Sequence, residues 1–267
     1  MVAGLQDIYP DIHKLQQNRS VLKAELEREF HPNDYELLKL LFLPHDNQNL
    51  LNILLKKNKP FDERGNFSAD ELEENIKEPT TVPGYMARFI MAHKEKEPIY
   101  PELSPENELA TLYYDQMLEV DNEFLCKLFE FDLNLRNSII ALFSRKHELP
   151  YENQIIGNTE TSNTIRRSHA RDFGLSAELP YIDDVVSIVK IEDIQEREKA
   201  IDELKWKYLD ESSFFEYFTA EKVFAFIKKL EIIERWLEID KPTGNELFKK
   251  LLEELKATYK LPEIFIK

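Results

Sequence analysis

Between Asn122 and His147 the chain runs for 26 residues without proline or glycine, and its apolar residues recur at helical rather than alternating spacing. Projected at 100° per residue, Phe124, Leu125, Leu128, Phe129, Phe131, Leu133, Leu135, Ile139, Ile140, Leu142 and Phe143 fill one arc. Lys127, Glu130, Asn134, Asn137, Ser138 and Arg145 fill the other. The pattern predicts one long helix covered by several neighbours, because the apolar arc is too wide for a single contact. Asp132 and Arg136 fall inside that arc, four apart and acid first, so they are expected to form a partly buried ion pair. Such a pair reads either as a structural clip or as the lining of a polar cavity or partner contact. As a clip, its loss in Asp132→Ala should cost on the order of 3 kcal/mol, since Arg136 would be stranded in an apolar setting.

The same periodicity extends along the chain. An opening apolar segment, MVAGLQDI, begins without a polar lead-in, as expected of a first element cut short, and Tyr9-Pro10 breaks it. Helices are then predicted over Val21 to Phe30, from a cap at Asn33 or Asp34 up to Pro44, and around Leu50 to Leu55. Residues 1–58 read as an N-terminal helical subdomain. Residues 59–104 carry Pro60, Gly65, Pro79, Pro83, Gly84, Pro98 and Pro101, and read as a connecting region, packed over the body in parts and mobile in others. Within it, Ser68 with Glu71 forms a capping box.

Residues 105–267 read as the main helical domain. Ser104-Pro105 opens a helix running towards Glu119, and the long helix follows until Leu149-Pro150. Further helices are predicted over Ile182 to Lys190 and Ile194 to Leu209. After them SSFFEYFT leads into a helix that Thr219 can cap, with Glu231 and Arg235 as a four-apart pair outside its stripe of Val223, Phe226, Ile227, Leu230, Ile233 and Leu237. Aromatic stripes of this kind read as core. Lys241-Pro242 breaks the chain, and a second capping box, Thr243 with Glu246, opens a last helix through Tyr259. The fold class is all-α, a multi-helix bundle.

Charge narrows the partners. Asp and Glu number 51 against 35 Lys and Arg, a net charge of −16 spread along the chain; such a surface repels phosphate backbones, so no nucleic-acid partner is expected. The basic cluster Arg166, Arg167, His169 and Arg171 is the local exception, suited either to an acidic partner or to a solvated helix face. The one cysteine, Cys126, excludes an intramolecular disulfide, fits a reducing compartment and reads as a small core residue. No apolar run is long enough to span a bilayer.

Catalytic templates give little. None of the six histidines follows a Glu by three residues, and no His-Glu-x-x-His, Gly-rich phosphate loop, Gly-x-Ser-x-Gly or Cys-x-x-Cys occurs. The His45-Asp46 doublet is the one feature reminiscent of metal-dependent phosphohydrolases, and it equally suits capping at a helix boundary. Asp115, Glu119 and Glu123, four apart, could hold a hard cation or form a solvated acidic face. No catalytic residue, metal or cofactor is assigned.

The block DNEFLCKLFEFDLNLRNSIIALFSRKH resembles the Phe-Leu, Asp-Leu-x-Asn, Arg-x-Lys pattern of the C (or d) subunit of rotary V-type and archaeal-type ATPases. The matching positions are Phe124, Leu125, Asp132, Leu133, Arg145 and Lys146, with Asn134 or Asn137 as the asparagine. The stretch from Phe218 to Leu255 is similar in outline to that subunit's final helices, although Lys229 stands where an acid is expected. The whole chain looks closer still to an uncharacterised bacterial family, a domain of unknown function, whose genes tend to lie among V-type ATPase genes. The resemblance implies a funnel-like helical rotor adaptor between the central stalk and the membrane proteolipid ring, peripheral on the cytoplasmic face and without bond chemistry. On that reading Asp132 and Arg136 are the structural pair, and Asn134, Asn137, Arg145, Lys146, Arg166, Arg167 and Arg171 are candidate contacts. The alternatives are a helical scaffold or regulator with an unrelated partner, and a metal-dependent phosphohydrolase using His45 and Asp46.

Overall fold

A computed structural model describes the backbone of residues 19–239 and side chains from 23 to 236. The Tyr9-Pro10 break, the Lys241-Pro242 break and the last helix lie outside the described residues. Within them are eleven α-helices and no strand: α1 (Arg19–Glu29), α2 (Pro32–Lys39), α3 (Leu43–Leu54), α4 (Ala69–Lys77), α5 (Gly84–Glu95), α6 (Pro105–Met117), α7 (Glu123–Lys146), α8 (Glu160–Arg167), α9 (Ile182–Ile188), α10 (Ile194–Ser212) and α11 (Ala220–Ile239), with a 3-10 turn at Glu152–Gln154. None is long and apolar enough to cross a membrane.

The described residues form two compact units, one from residues 39–192 and the other from 19–38 with 193–239. The expected boundaries at 58 and 104 both fall inside the first of these.

In the 39–192 unit α7 is the spine. Asn122 caps it, its side chain accepting from the Leu125 N–H at 2.9 Å. The 24 residues that follow pack against α6, α8, α9 and the 3-10 turn, which is why its apolar arc is so broad. Leu125, Leu128, Leu133, Leu135 and Ala141 are buried along it, each of the leucines contributing roughly 2 kcal/mol of transfer free energy. Ser104 caps α6, accepting from the Asn107 N–H at 3.2 Å ahead of Pro105. Tyr113 on α6 meets Tyr85 and Phe129 edge-on, at 5.7 and 5.9 Å between ring centres.

The proline-punctuated segment is part of this core. The Ser68–Glu71 capping box forms and starts α4, and α5 lies along α6 with Tyr85, Met86, Phe89 and Ile90 buried. Pro79, Pro83, Gly84 and Pro98 lie at or just beyond helix ends within a packed body, while Pro60 and Gly65 lie in the loop between α3 and α4. Pro44, expected to end a helix, instead lies in the first turn of α3, where its missing N–H costs nothing. The supposed acidic face of Asp115, Glu119 and Glu123 is split: α6 ends at Met117 and Glu123 begins α7, where it pairs with Lys127 at 2.5 Å. Asp115 instead accepts from the Tyr100 hydroxyl at 3.2 Å and Asn158 Nδ2 at 3.3 Å.

In the other unit α10 and α11 pack together around Asp202. This carboxylate is buried and takes hydrogen bonds from the Arg235 guanidinium and from Trp236 Nε1, the latter at 2.6 Å. Arg235 also reaches Glu198 at 3.0 Å. The expected Glu231–Arg235 pair is thus replaced by a bridge between helices, and Glu231 pairs with Lys228 at 2.7 Å. Lys229 bonds Asp210 and lies 5.1 Å from the centre of the Trp206 ring, so this basic residue is an inter-helix strut.

Candidate functional site

The polar residues of α7 are the first place to look for a site, and they turn inward. Arg136 and Asp132 do not pair with each other. Arg136 donates to Asn107 Oδ1 at 2.9 Å and to the Gln154 carbonyl at 3.2 Å, with a longer bond to Asn137 Oδ1 at 3.4 Å. Burial lowers its pKa. Asn107 was not anticipated: it comes from α6 and also donates to the Asn153 carbonyl and Gln154 Oε1, both at 3.2 Å.

Asn137 is fully buried. It donates to the Ile156 carbonyl at 2.8 Å and Ser162 Oγ at 3.1 Å, and accepts from the Ile156 N–H at 3.1 Å. Asn134 is buried as well, and its Oδ1, like Ser138 Oγ one turn on, has no hydrogen-bond partner among the described residues. Neither asparagine can meet a partner protein from there. Gly157 completes the junction: its φ of +75° and a Leu133 methyl 3.0 Å from where a Cβ would stand both exclude a side chain.

Arg145 and Lys146 are fasteners. Arg145 donates through Nε and Nη2 to the Tyr151 hydroxyl, at 3.1 and 2.9 Å, through Nη1 to the Ala170 carbonyl at 2.8 Å, and to the Ser168 carbonyl. Its guanidinium lies 4.4 Å from the centre of the buried Phe173 ring. Phe173 has a φ of +59°, an unfavourable conformation for a bulky residue that this packing holds in place. Lys146 reaches the Val189 carbonyl at 3.2 Å and Glu192 at 2.9 Å. Arg166 is also internal, donating to Asn163 Oδ1 and to the Ile155 and Gly157 carbonyls at 2.8 to 2.9 Å. Of the basic cluster only Arg167, His169 and Arg171 are exposed.

The His45-Asp46 doublet is also committed to structure. Asp46 is fully buried and its two oxygens accept from the Asn66 N–H at 2.7 and 2.9 Å, from Asn66 Nδ2 at 2.8 Å and from the Phe67 N–H at 3.1 Å. A Cβ at Gly65 would stand 2.1 Å from Asp46 Oδ1, so only glycine lets the loop close this tightly. His45 Nδ1 sits 2.9 Å from Asp62 Oδ2, and Asp62 is gripped by Arg64 through Nε and Nη2 at 2.7 to 3.0 Å. Among the described residues no group of three or more His, Cys, Asp or Glu is placed to hold a metal ion.

Among the described residues, the exposed groups include the basic Arg167, His169 and Arg171 and a run of aromatics between α10 and α11. A family model described as "Protein of unknown function (DUF2764)" matches residues 1–259. The chain belongs to this family. No curated protein and no solved structure matches it.

The apolar patch of this DUF2764 chain is the SSFFEYFT run. Phe214, Phe215, Tyr217 and Phe218 are 52, 80, 63 and 79% exposed, in contrast to the buried stripe of the helix they lead into. The signal available in sequence was density: four aromatics in five positions cannot all turn inward from one short link between two helices. The link is firmly built. Ser213 is buried and bonds the Leu209 carbonyl at 2.7 Å, Lys222 of α11 reaches back to the Ser213 carbonyl at 3.2 Å, and Thr219 donates to Glu216 at 2.9 Å.

Proposed function

We propose that the protein is a non-enzymatic subunit or accessory protein of a V-type ATPase, a rotor adaptor between the central stalk and the membrane proteolipid ring, peripheral on the cytoplasmic face. The observation that supports this reading is the role of the block that carries the resemblance. Leu125 and Leu133 are buried in the spine of the 39–192 unit, while Arg145 and Lys146 at its end fasten the segments at 151–173 and 189–192. Residues of this kind define an architecture, which is what a mechanical adaptor would keep. The exposed Arg167, His169 and Arg171 then supply a cationic contact on an otherwise acidic body, suited to an acidic partner surface.

The test is affinity purification of the tagged protein from detergent-solubilised membranes of its own source. Recovery of proteolipid and central-stalk subunits, reduced by Arg167→Glu with Arg171→Glu, is the expected result. Their absence from a preparation in which the motor is intact would overturn the ATPase reading and leave a helical scaffold with an unrelated partner.

A further inference from the structure

Two buried polar atoms on α7 are not met by the protein around them. Asn134 is buried and Ser138 is fully so, and neither Asn134 Oδ1 nor Ser138 Oγ has a hydrogen-bond partner among the described residues. A serine inside a helix commonly donates to the carbonyl four residues back, which here belongs to Asn134, and Ser138 makes no such bond. Buried polar groups in folded proteins are nearly always paired, either with protein or with ordered water.

The two residues lie one turn apart on the same face of α7, and that face looks into a helix junction. On one side of them Phe131 packs edge-on against Tyr181, the residue that precedes α9, with ring centres 4.9 Å apart. On the other, Asn137 bonds Ile156 and Ser162, before and within α8. Projected along the helix, Asn134 and Ser138 fall between these two contacts. Residues four apart stand roughly 5–6 Å from each other at Cβ, a gap that two hydrogen bonds of about 2.8 Å through one oxygen can span. Both groups are neutral, so a bound ion would exchange its hydration for two dipoles. Water supplies what the two atoms lack, a donor for the amide oxygen and an acceptor for the hydroxyl. We propose that one water molecule, held where α7 meets α8 and α9, bridges Ser138 Oγ to Asn134 Oδ1 as a structural part of this unit. This inference is independent of the ATPase reading, since it rests on buried groups that no partner touches.

Two measurements on the full chain test it. Ser138→Ala removes one end of the bridge and should lower the melting temperature by about 2–4 °C. Asn134→Leu with Ser138→Ala removes both ends together and should recover most of that loss. A bare hydroxyl predicts the opposite sign, because deleting an unmet buried group stabilises. In the isotope-labelled protein, water-selective nuclear Overhauser spectroscopy should show a long-lived water at the Asn134 side-chain amide and the Ser138 backbone amide. The signal at Ser138 should vanish in Asn134→Leu, a variant that keeps the serine hydroxyl and with it any signal relayed by hydroxyl exchange. Three results would each overturn the proposal: a melting temperature unchanged or raised by Ser138→Ala, no water signal in the wild type, or a Ser138 signal that persists in Asn134→Leu.

Discussion

Asp132 and Arg136 have the spacing of an ion pair on α7, yet the guanidinium is held by a neutral side chain from α6, Asn107, and by a carbonyl of the 3-10 turn. The difference is measurable by double-mutant cycles. Arg136 and Asn107 should couple by about 2 kcal/mol, the usual net worth of a hydrogen bond to a charged group. Asp132→Ala alone should change stability by less than about 0.5 kcal/mol, in contrast to the cost expected from sequence spacing. Strong coupling between Asp132 and Arg136 would show that the bond to Asn107 is secondary. Asp62 makes a second residue-scale prediction. Burial works to raise its pKa, but hydrogen bonds from Arg64 and the charges of His45 and Arg64 outweigh this and hold the carboxyl well below its usual range. A depressed folded-state pKa gives stability that is present above the unfolded value, about 4, and is lost as pH falls below it. Melting temperature should therefore drop below about pH 4, and less steeply in Asp62→Asn; parallel curves for the two proteins would reject this account.

At the scale of elements, α7 joins what sequence can specify to what it cannot. Its extent, its Asn122 cap and its apolar arc follow from local rules, as do the caps at Ser68 and Ser104. Which residues its polar side chains reach is a tertiary matter. Arg145 looked like a solvent-facing contact because the segment it binds, 168–173, has no periodicity to announce that it folds back. The exposure of Phe214, Phe215, Tyr217 and Phe218 is illegible for the opposite reason: hydrophobicity specifies a preference for burial, and neither spacing nor composition says whether neighbouring elements leave room for it. Arg145 offers the test at this scale. Lysine keeps the charge but loses the fork and the planar stacking on Phe173, so Arg145→Lys should destabilise by on the order of 2 kcal/mol and speed amide exchange at 168–175 relative to α7 itself. Unchanged exchange there would mean that Phe173 burial alone holds the segment.

For the whole molecule, the division of the chain makes the sharpest statement. Residues 39–192 are one continuous stretch and form one of the two compact units, with buried apolar residues from α3 to α9 that include Leu50, Leu72, Met86, Leu112, Leu133, Ile165 and Val185. A unit with its own core and no chain crossing its boundary in the middle has what an autonomous domain needs. The fragment 39–192 should therefore give a helical circular-dichroism spectrum and a single cooperative melt. In the full chain Arg145→Lys should lower the same transition that the fragment shows, while Asp202→Ala, which removes the buried acceptor joining α10 to α11, should act on a separate one. If the fragment melts without cooperativity, or if both substitutions shift one shared transition equally, the two units fold as one. In that case the 39–192 core depends for its stability on elements drawn from both ends of the chain.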